Sequence, residues 1–442
     1  LFINICSAAA SSMADPASTT VGSLPVTKAS RRTSFAGCAP PRPDIVRVIF
    51  INRFYWPDEP ATAQLLTDLA EAFATAGHDV AVVTSHPGDL RVPRRETHNG
   101  VRIERVRSTR ARHSGLGGKA VDFATFHLGA MWRLFTLARR GDAIVAMTDP
   151  PLLGVGAWLV AAARGARLFH WVQDIYPELA IELSGHRWLA VIKPLRNLAW
   201  RRAAGCVTLA GDMAAVLAAA GVAEDKLRTI PNWPPAGLAP PPPAATAALR
   251  AEWNLAGKFV VAYSGNLGRV HDLDPVLAVA EAVRADPRIA FVFIGTGAQH
   301  AALVAGAASR GLDHVQFRPP QPRAQLAAAL ALADVHLVTL RPGCERYVFP
   351  SKLSGVAAVG RPVLVIGPRE SDLARLVVAH GFGRAFDRTA ITALAAEICA
   401  LAADPAEGAR RGAAAGQFAR NIGDASAATA RWQALLADTR TC

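Results

Sequence analysis

Ile45-Val-Arg-Val-Ile-Phe-Ile51 reads as a buried strand, and the residues after it decide the fold. A polar turn, Trp56-Pro-Asp-Glu-Pro60, leads into a helix carrying Leu65, Leu66, Leu69, Phe73 and Ala74, with Gly77 placed to end it. Val80-Ala-Val-Val-Thr84 is the next strand. Strand, helix and strand in so short a span make a right-handed βαβ unit on a parallel sheet. Ala143-Ile-Val-Ala-Met147, Arg167-Leu-Phe-His-Trp-Val172 and Gly205-Cys-Val-Thr-Leu209 extend that sheet. Val101-Arg-Ile-Glu-Arg-Val106 alternates with period two and is expected to be half exposed.

Trp233-Pro-Pro-Ala-Gly-Leu-Ala-Pro-Pro-Pro-Pro-Ala244 interrupts the pattern, because four consecutive prolines exclude helix and central strand. The same grammar then restarts. Phe259 to Tyr263 is a strand, Gly265-Asn-Leu-Gly268 a turn, and Leu273 to Val283 a helix. Ile289 to Ile294 is a strand ending in Gly295-Thr-Gly297, with later strands at Val315–Phe317, Val335–Val338 and Val363–Ile366. The expected fold class is α/β, with two doubly wound Rossmann-like domains facing across a cleft. They cover residues 45–232 and 246–420, with a Pro-rich linker at 233–245.

Composition bounds the function. With 51% hydrophobic and 19% charged residues the 442-residue chain reads as a globular protein of two domains. The net charge of +13 is spread over both halves, and its densest cluster, Arg91 to Arg112, holds eight arginines against Glu96 and Glu104. That cluster is either a solvated, arginine-rich β-meander or a surface for anionic lipid or a phosphorylated substrate. No recognition helix, zinc finger or RNA-binding signature accompanies it, so no nucleic-acid partner is expected. Six scattered cysteines without metal or redox spacing point to a reducing compartment. The best apolar run, Pro151 to Ala163, stops at Arg164, short of the ~20 residues that span a bilayer. It reads as a buried helix or a shallow membrane insertion. Residues 1–44 read as a disordered extension or a mis-assigned start.

Four segments carry chemistry. Tyr347-Val-Phe-Pro-Ser-Lys-Leu-Ser-Gly-Val-Ala-Ala-Val-Gly-Arg-Pro-Val363 joins a loop holding Ser351 and Lys352 to a small-residue helix ending at Gly360. Such a junction gathers unpaired N–H groups and the positive end of a dipole, which suits a diphosphate. Tyr263-Ser-Gly-Asn-Leu-Gly-Arg269 and Gly295-Thr-Gly297 follow strand ends of the same domain, where glycines admit a phosphate and Arg269 neutralises it. In the first domain, His170-Trp-Val-Gln-Asp-Ile-Tyr-Pro-Glu178 follows a strand. Asp174 there either serves as a base or orients a substrate hydroxyl, or caps the next helix, while His170 reads as a packed core histidine.

Together with Phe54-Tyr-Trp-Pro-Asp58 and Ile230-Pro-Asn-Trp233, these motifs resemble the bacterial family-4 retaining glycosyltransferases of the GT-B fold. The likeness covers residues 45–435 and is strongest to the WcaI/WbuB-like branch of capsule, O-antigen and exopolysaccharide biosynthesis. It implies sugar transfer from a nucleotide-sugar donor to a lipid-linked or growing saccharide acceptor, with no metal or other cofactor. It also implies a cytoplasmic protein, peripheral at the inner face of the plasma membrane, whose last helix (421–442) returns to the first domain. The expected catalytic residues are Asp174, Arg269 and Lys352, with Arg269 read as a substitute for a cation that relatives carry nearby. The donor site comprises Gly265, Asn266, Gly268, His271, Gly295, Gly297, Phe349, Ser351 and Leu353, and Thr62 and Gln173 lie on the acceptor side.

The chain departs from the family in two places. An Arg and a Lys common after the second domain's first strand fall on Asn266 and His271. Two glutamates common near the donor fall on Tyr347 and Gly355. Two other readings follow: a non-catalytic relative that binds a sugar nucleotide or scaffolds an assembly, and a nucleotide-sugar 2-epimerase of the same fold. The epimerase needs acid/base carboxylates in the cleft, in which the sequence looks poor.

Overall fold

A computed structural model describes residues 46–88, 91–109, 116–422 and 425–438; the extension expected over residues 1–44 lies outside them. The first domain holds β1 (Arg47–Ile51), β2 (Asp79–Ser85), β3 (Arg95–His98), β4 (Val101–Val106), β5 (Ala143–Ala146), β6 (Arg167–Trp171), β7 (Gly205–Thr208) and β8 (Leu227–Thr229). They form one sheet in the order β3-β4-β2-β1-β5-β6-β7-β8, parallel except for β3. The second domain holds β9 (Phe259–Ser264), β10 (Ile289–Ile294), β11 (Val315–Arg318), β12 (Val335–Thr339), β13 (Val363–Ile366) and β14 (Gly383–Phe386). Their order is β11-β10-β9-β12-β13-β14, all parallel.

Apolar runs become central strands because helices cover both faces. On one face of the first sheet Phe50, Phe73 and Trp171 pack under the helices Ala61–Thr75 and Ala425–Asp438. The other face buries Phe126, Leu134, Leu153 and Trp200 under the helices Leu116–Leu137, Leu153–Arg164 and Lys193–Arg202. The last helix packs on the first domain: Trp432 meets Trp171 edge-on at 5.3 Å, and Arg167 donates to the Leu436 carbonyl at 3.1 Å. Strand order reverses beside β1 in one sheet and beside β9 in the other, so each domain opens a crevice at that carboxyl edge.

Three local expectations change. β4 is not half exposed. Glu104 and Arg105 are buried along with Val101 and Ile103, because Arg133 and Arg95 pair with Glu104 and Glu96 pairs with Arg105. The described part of Arg91–Arg112 is a meander in which Arg95, Arg102 and Arg105 are paired with carboxylates of the protein. The proline connector is also shorter than expected. Trp233 is buried beside Trp171, and Pro243 opens the helix Pro243–Glu252 at a position where its missing N–H costs nothing.

Candidate active site

The second domain gathers its predicted residues at the carboxyl ends of β9 and β10. The Leu267 N–H donates to the Thr296 carbonyl at 2.9 Å, and the Gln299 amide donates to the carbonyls of Gly268 and His271 at 2.6 and 3.0 Å. Two glycine turns are thereby sewn together. Gly295 has φ +144°, and a Cβ there would lie 2.1 Å from the Gly265 carbonyl oxygen; at Gly297 one would lie 2.6 Å from that of Leu267. Both were expected to face phosphate, yet their lack of a side chain serves first the contact between the turns. Gly265 and Asn266 remain exposed on the cleft side.

Lys352 reaches this cluster from the helix Lys352–Ala358. Its Cε and Nζ lie 3.4 and 3.7 Å from where a Cβ on Gly265 would sit. The ammonium donates to the Tyr263 hydroxyl and sits 3.7 Å from that ring's centroid. Tyr263 in turn donates to the Asn266 carbonyl at 3.0 Å. No carboxylate among the described residues pairs with Lys352, and burial holds its pKa well below the usual lysine range. His271 is not a free donor contact. It is buried with Nδ1 2.6 Å from the Thr339 carbonyl, and burial, reinforced by Lys352, keeps the ring neutral. Arg269 is half-buried on the same turn, with no ion pair among the described residues. Ser351 stands exposed before a helix of seven residues that no side chain caps, so the dipole is weaker than expected.

The first domain presents two carboxylates rather than one. Asp174 follows β6, and Asp149 follows the neighbouring β5. The Thr148 hydroxyl accepts the N–H groups of Gln173 and Asp174, both at 3.2 Å, tying the two loops together. Burial pushes Asp174 up to about 7, helped by the charge of Asp149; burial also pushes Asp149 up to about 6 against the pull of Arg53. Asp149 was missed, although Thr148-Asp-Pro150 at a strand end could have announced it, and the cleft is richer in carboxylates than the sequence suggested. Gln173 is a correction. It is buried and exchanges two hydrogen bonds with Asn232, at 3.2 and 2.9 Å, so its amide locks the Ile230–Trp233 motif instead of meeting an acceptor. His170 is a core residue fitted against Gly154, and Glu178 is held by Arg196 at 2.6 and 2.8 Å. Thr62 sits half-buried in the first turn of the helix after β1.

The two sides meet. Asp174 forms an antiparallel bridge with Val348, and the Ile175 N–H donates to the Tyr347 carbonyl at 2.8 Å. Phe349 touches the cores of both domains, and with Ser351 and Leu353 it lines an interdomain cavity of about 350 Å³, otherwise mostly apolar. A side chain at Gly355 would meet Leu238 and Leu330, so apolar groups occupy the place of the usual second glutamate.

Residues 62–233 match the model of the glycosyl transferase 4-like domain, and residues 246–418 that of glycosyl transferases group 1. The putative colanic acid biosynthesis glycosyl transferase WcaI of Escherichia coli K12 is 26% identical over 75% of this chain and 86% of its own. The probable glycosyltransferase WbjE of Pseudomonas aeruginosa is 27% identical over 61% of this chain and 69% of its own. Among solved structures, sucrose-phosphate synthase from Thermosynechococcus elongatus superposes with a TM-score of 0.72 at 17% identity, over 89% of this chain and 98% of its own. Anabaena Alr3699/HepE in complex with UDP-glucose gives 0.67 at 18%, over 89% and 99%.

Proposed function

The chain belongs to the family-4 glycosyltransferases of the GT-B fold, in their WcaI-like branch, and from that premise we propose that it is a retaining, metal-independent transferase of polysaccharide biosynthesis. It moves a sugar from a nucleotide-sugar to a lipid-linked or growing saccharide acceptor, in the cytoplasm at the inner membrane face. HepE, solved with UDP-glucose, supports the donor class.

The observation that carries this reading is Lys352, held without a carboxylate partner beside Gly265 at the strand-order reversal. A half-buried lysine desolvated without a counter-charge is costly, and a diphosphate against the Gly265–Gly268 turn supplies that counter-charge. As the bond from the anomeric carbon to the donor's phosphate oxygen breaks, negative charge grows on that oxygen, where Lys352 and Arg269 stabilise it. The acceptor hydroxyl forms the new bond on the face that the leaving group vacates. Its proton passes to the departing phosphate or to the ionised member of the Asp149–Asp174 pair.

The test is a thermal-shift screen of nucleotide-sugars followed by transfer and donor-hydrolysis assays. Lys352→Met is expected to lose transfer at least about 100-fold with an unchanged or raised melting temperature. Unchanged turnover removes Lys352 from the site. Donor binding with neither transfer nor hydrolysis favours a non-catalytic relative, and inversion at C2 favours an epimerase.

A further inference from the structure

We infer that the outer face of the first domain's helices Leu116–Leu137, Leu153–Arg164 and Lys193–Arg202 is a docking surface for an anionic lipid bilayer. The helix Leu116–Leu137 buries Phe126, Ala130 and Leu134 inward, yet it also carries Val121, Leu128, Trp132 and Phe135 outward. Leu128 and Trp132 are 75% and 70% exposed. Steps of seven, four and three residues set those four on one stripe, and Ala124 continues it without a charge. Such a face is apolar on both sides of the helix, which water does not favour.

The stripe broadens into a surface. Gly156 lets the helix Leu153–Arg164 touch the first, since a Cβ there would lie 2.6 Å from the Met131 sulfur, and Leu159 adds to the exposed face. The turn Arg187–Ile192 and the helix after it add Trp188, Val191 and Leu195. Of the ten large hydrophobic side chains exposed among the described residues, eight lie here, so they are a patch and not scatter.

Charge selects the occupant. Arg139, Arg140, Arg164, Arg187, Arg201 and Arg202 are exposed on these elements, whereas Glu182 is the one exposed carboxylate from residue 116 to residue 202. The Arg164 guanidinium lies 5.0 Å from the Phe135 ring, its stem along the apolar face. Apolar and tryptophan side chains flanked by arginines with no carboxylate partner among the described residues match the boundary between acyl chains and anionic headgroups. No described helix is long and apolar enough to cross a membrane, so the contact is superficial. The helix Leu153–Arg164 starts just beyond Asp149, and Trp188 follows the Asp174 loop, so the surface continues along the chain into the loops that carry the carboxylate pair. The link to a lipid-borne acceptor rests on the function proposed above; the docking does not.

Co-sedimentation of the full chain tests it, with phosphatidylcholine vesicles carrying rising fractions of phosphatidylglycerol. Binding is expected to climb with the anionic fraction. Trp132→Ser with Trp188→Ser should weaken it at least about tenfold without lowering the melting temperature. Arg139→Gln with Arg140→Gln should flatten the dependence on phosphatidylglycerol. Leu128→Ser with Val191→Ser repeats the first test should the tryptophan pair impair folding. Wild-type-like binding by these apolar variants overturns the inference. So does a change of oligomeric state in them with vesicle binding intact, which would make the patch a contact between copies. Vesicle binding needs no turnover, so a failure of the transferase reading leaves this result untouched.

Discussion

Asp174 and Asp149 show what a pair of acids costs and gives. Their folded pKa values, about 7 and about 6, lie above the 3.8 of an ordinary aspartate. The folded protein therefore holds protons that the unfolded chain releases, and stability falls as pH rises from about 4 to about 7. Below pH 4 both states are protonated and the penalty vanishes. Asp174→Asn removes one titration, so the variant should melt about 2–4 °C higher than wild type at pH 8 and at the same temperature near pH 4, after discounting for partial exposure. Transfer should meanwhile fall at least about tenfold. Thermal melts at the two pH values check this, and a variant no more stable at pH 8 would show that burial does not hold Asp174 above its ordinary pKa. Asp174 was readable because it lies in a motif, and Lys352 for the same reason. Asp149 was not, because only the pairing of β5 with β6 brings it to Asp174, as only folding brings Gln173 to Asn232.

The central strands could be read directly because they are apolar runs buried on both faces, and β10 matches to the residue; β4 matches in its bounds, although its charged residues are buried by ion pairs that only folding supplies. β3, β8 and β14 could not, since Arg95–His98, Leu227–Thr229 and Gly383–Phe386 are short edge strands whose existence depends on a neighbour. The glycine turns were placed correctly and explained only partly. Packing between turns, not phosphate alone, demands Gly295. Gly295→Ala should cost about 2–4 kcal/mol, because backbone must move to clear a contact of 2.1 Å and φ is +144°. It should also weaken nucleotide binding by displacing Gly265. Gly311→Ala is the control: φ is +63° but nothing lies within 4 Å, so about 1–2 kcal/mol should be lost with nucleotide affinity intact. Denaturant titration and nucleotide calorimetry separate the two variants. Equal effects on affinity would mean that the turns do not transmit strain to the site.

The relation between the two lobes is where sequence reading stops, since residues 160 apart meet there. The Asp212 carboxylate accepts the Asp372 N–H at 2.6 Å, and Asp372 accepts the Asp212 N–H at the same distance, so each lobe caps a helix of the other. Two carboxylates this close repel, and Arg375 answers both, at 3.2 Å to Asp212 and with a close contact to Asp372. The clasp borders the same interdomain cavity as Phe349 and Leu353. It therefore acts on the approach of the lobes without touching Lys352 or Asp174. Asp372→Ala removes one cap and half of the arginine's anchor and leaves Asp212 facing a weakened partner, a loss of about 1–2 kcal/mol in favour of separation. Small-angle scattering of the variant should show a larger radius of gyration without ligand, shrinking when nucleotide is added. Transfer efficiency should drop about five- to thirtyfold as closure takes up binding energy that otherwise serves catalysis. An unchanged radius together with unchanged kinetics would mean that the bridge between Val348 and Asp174 alone sets how the lobes meet, and that the clasp merely records it.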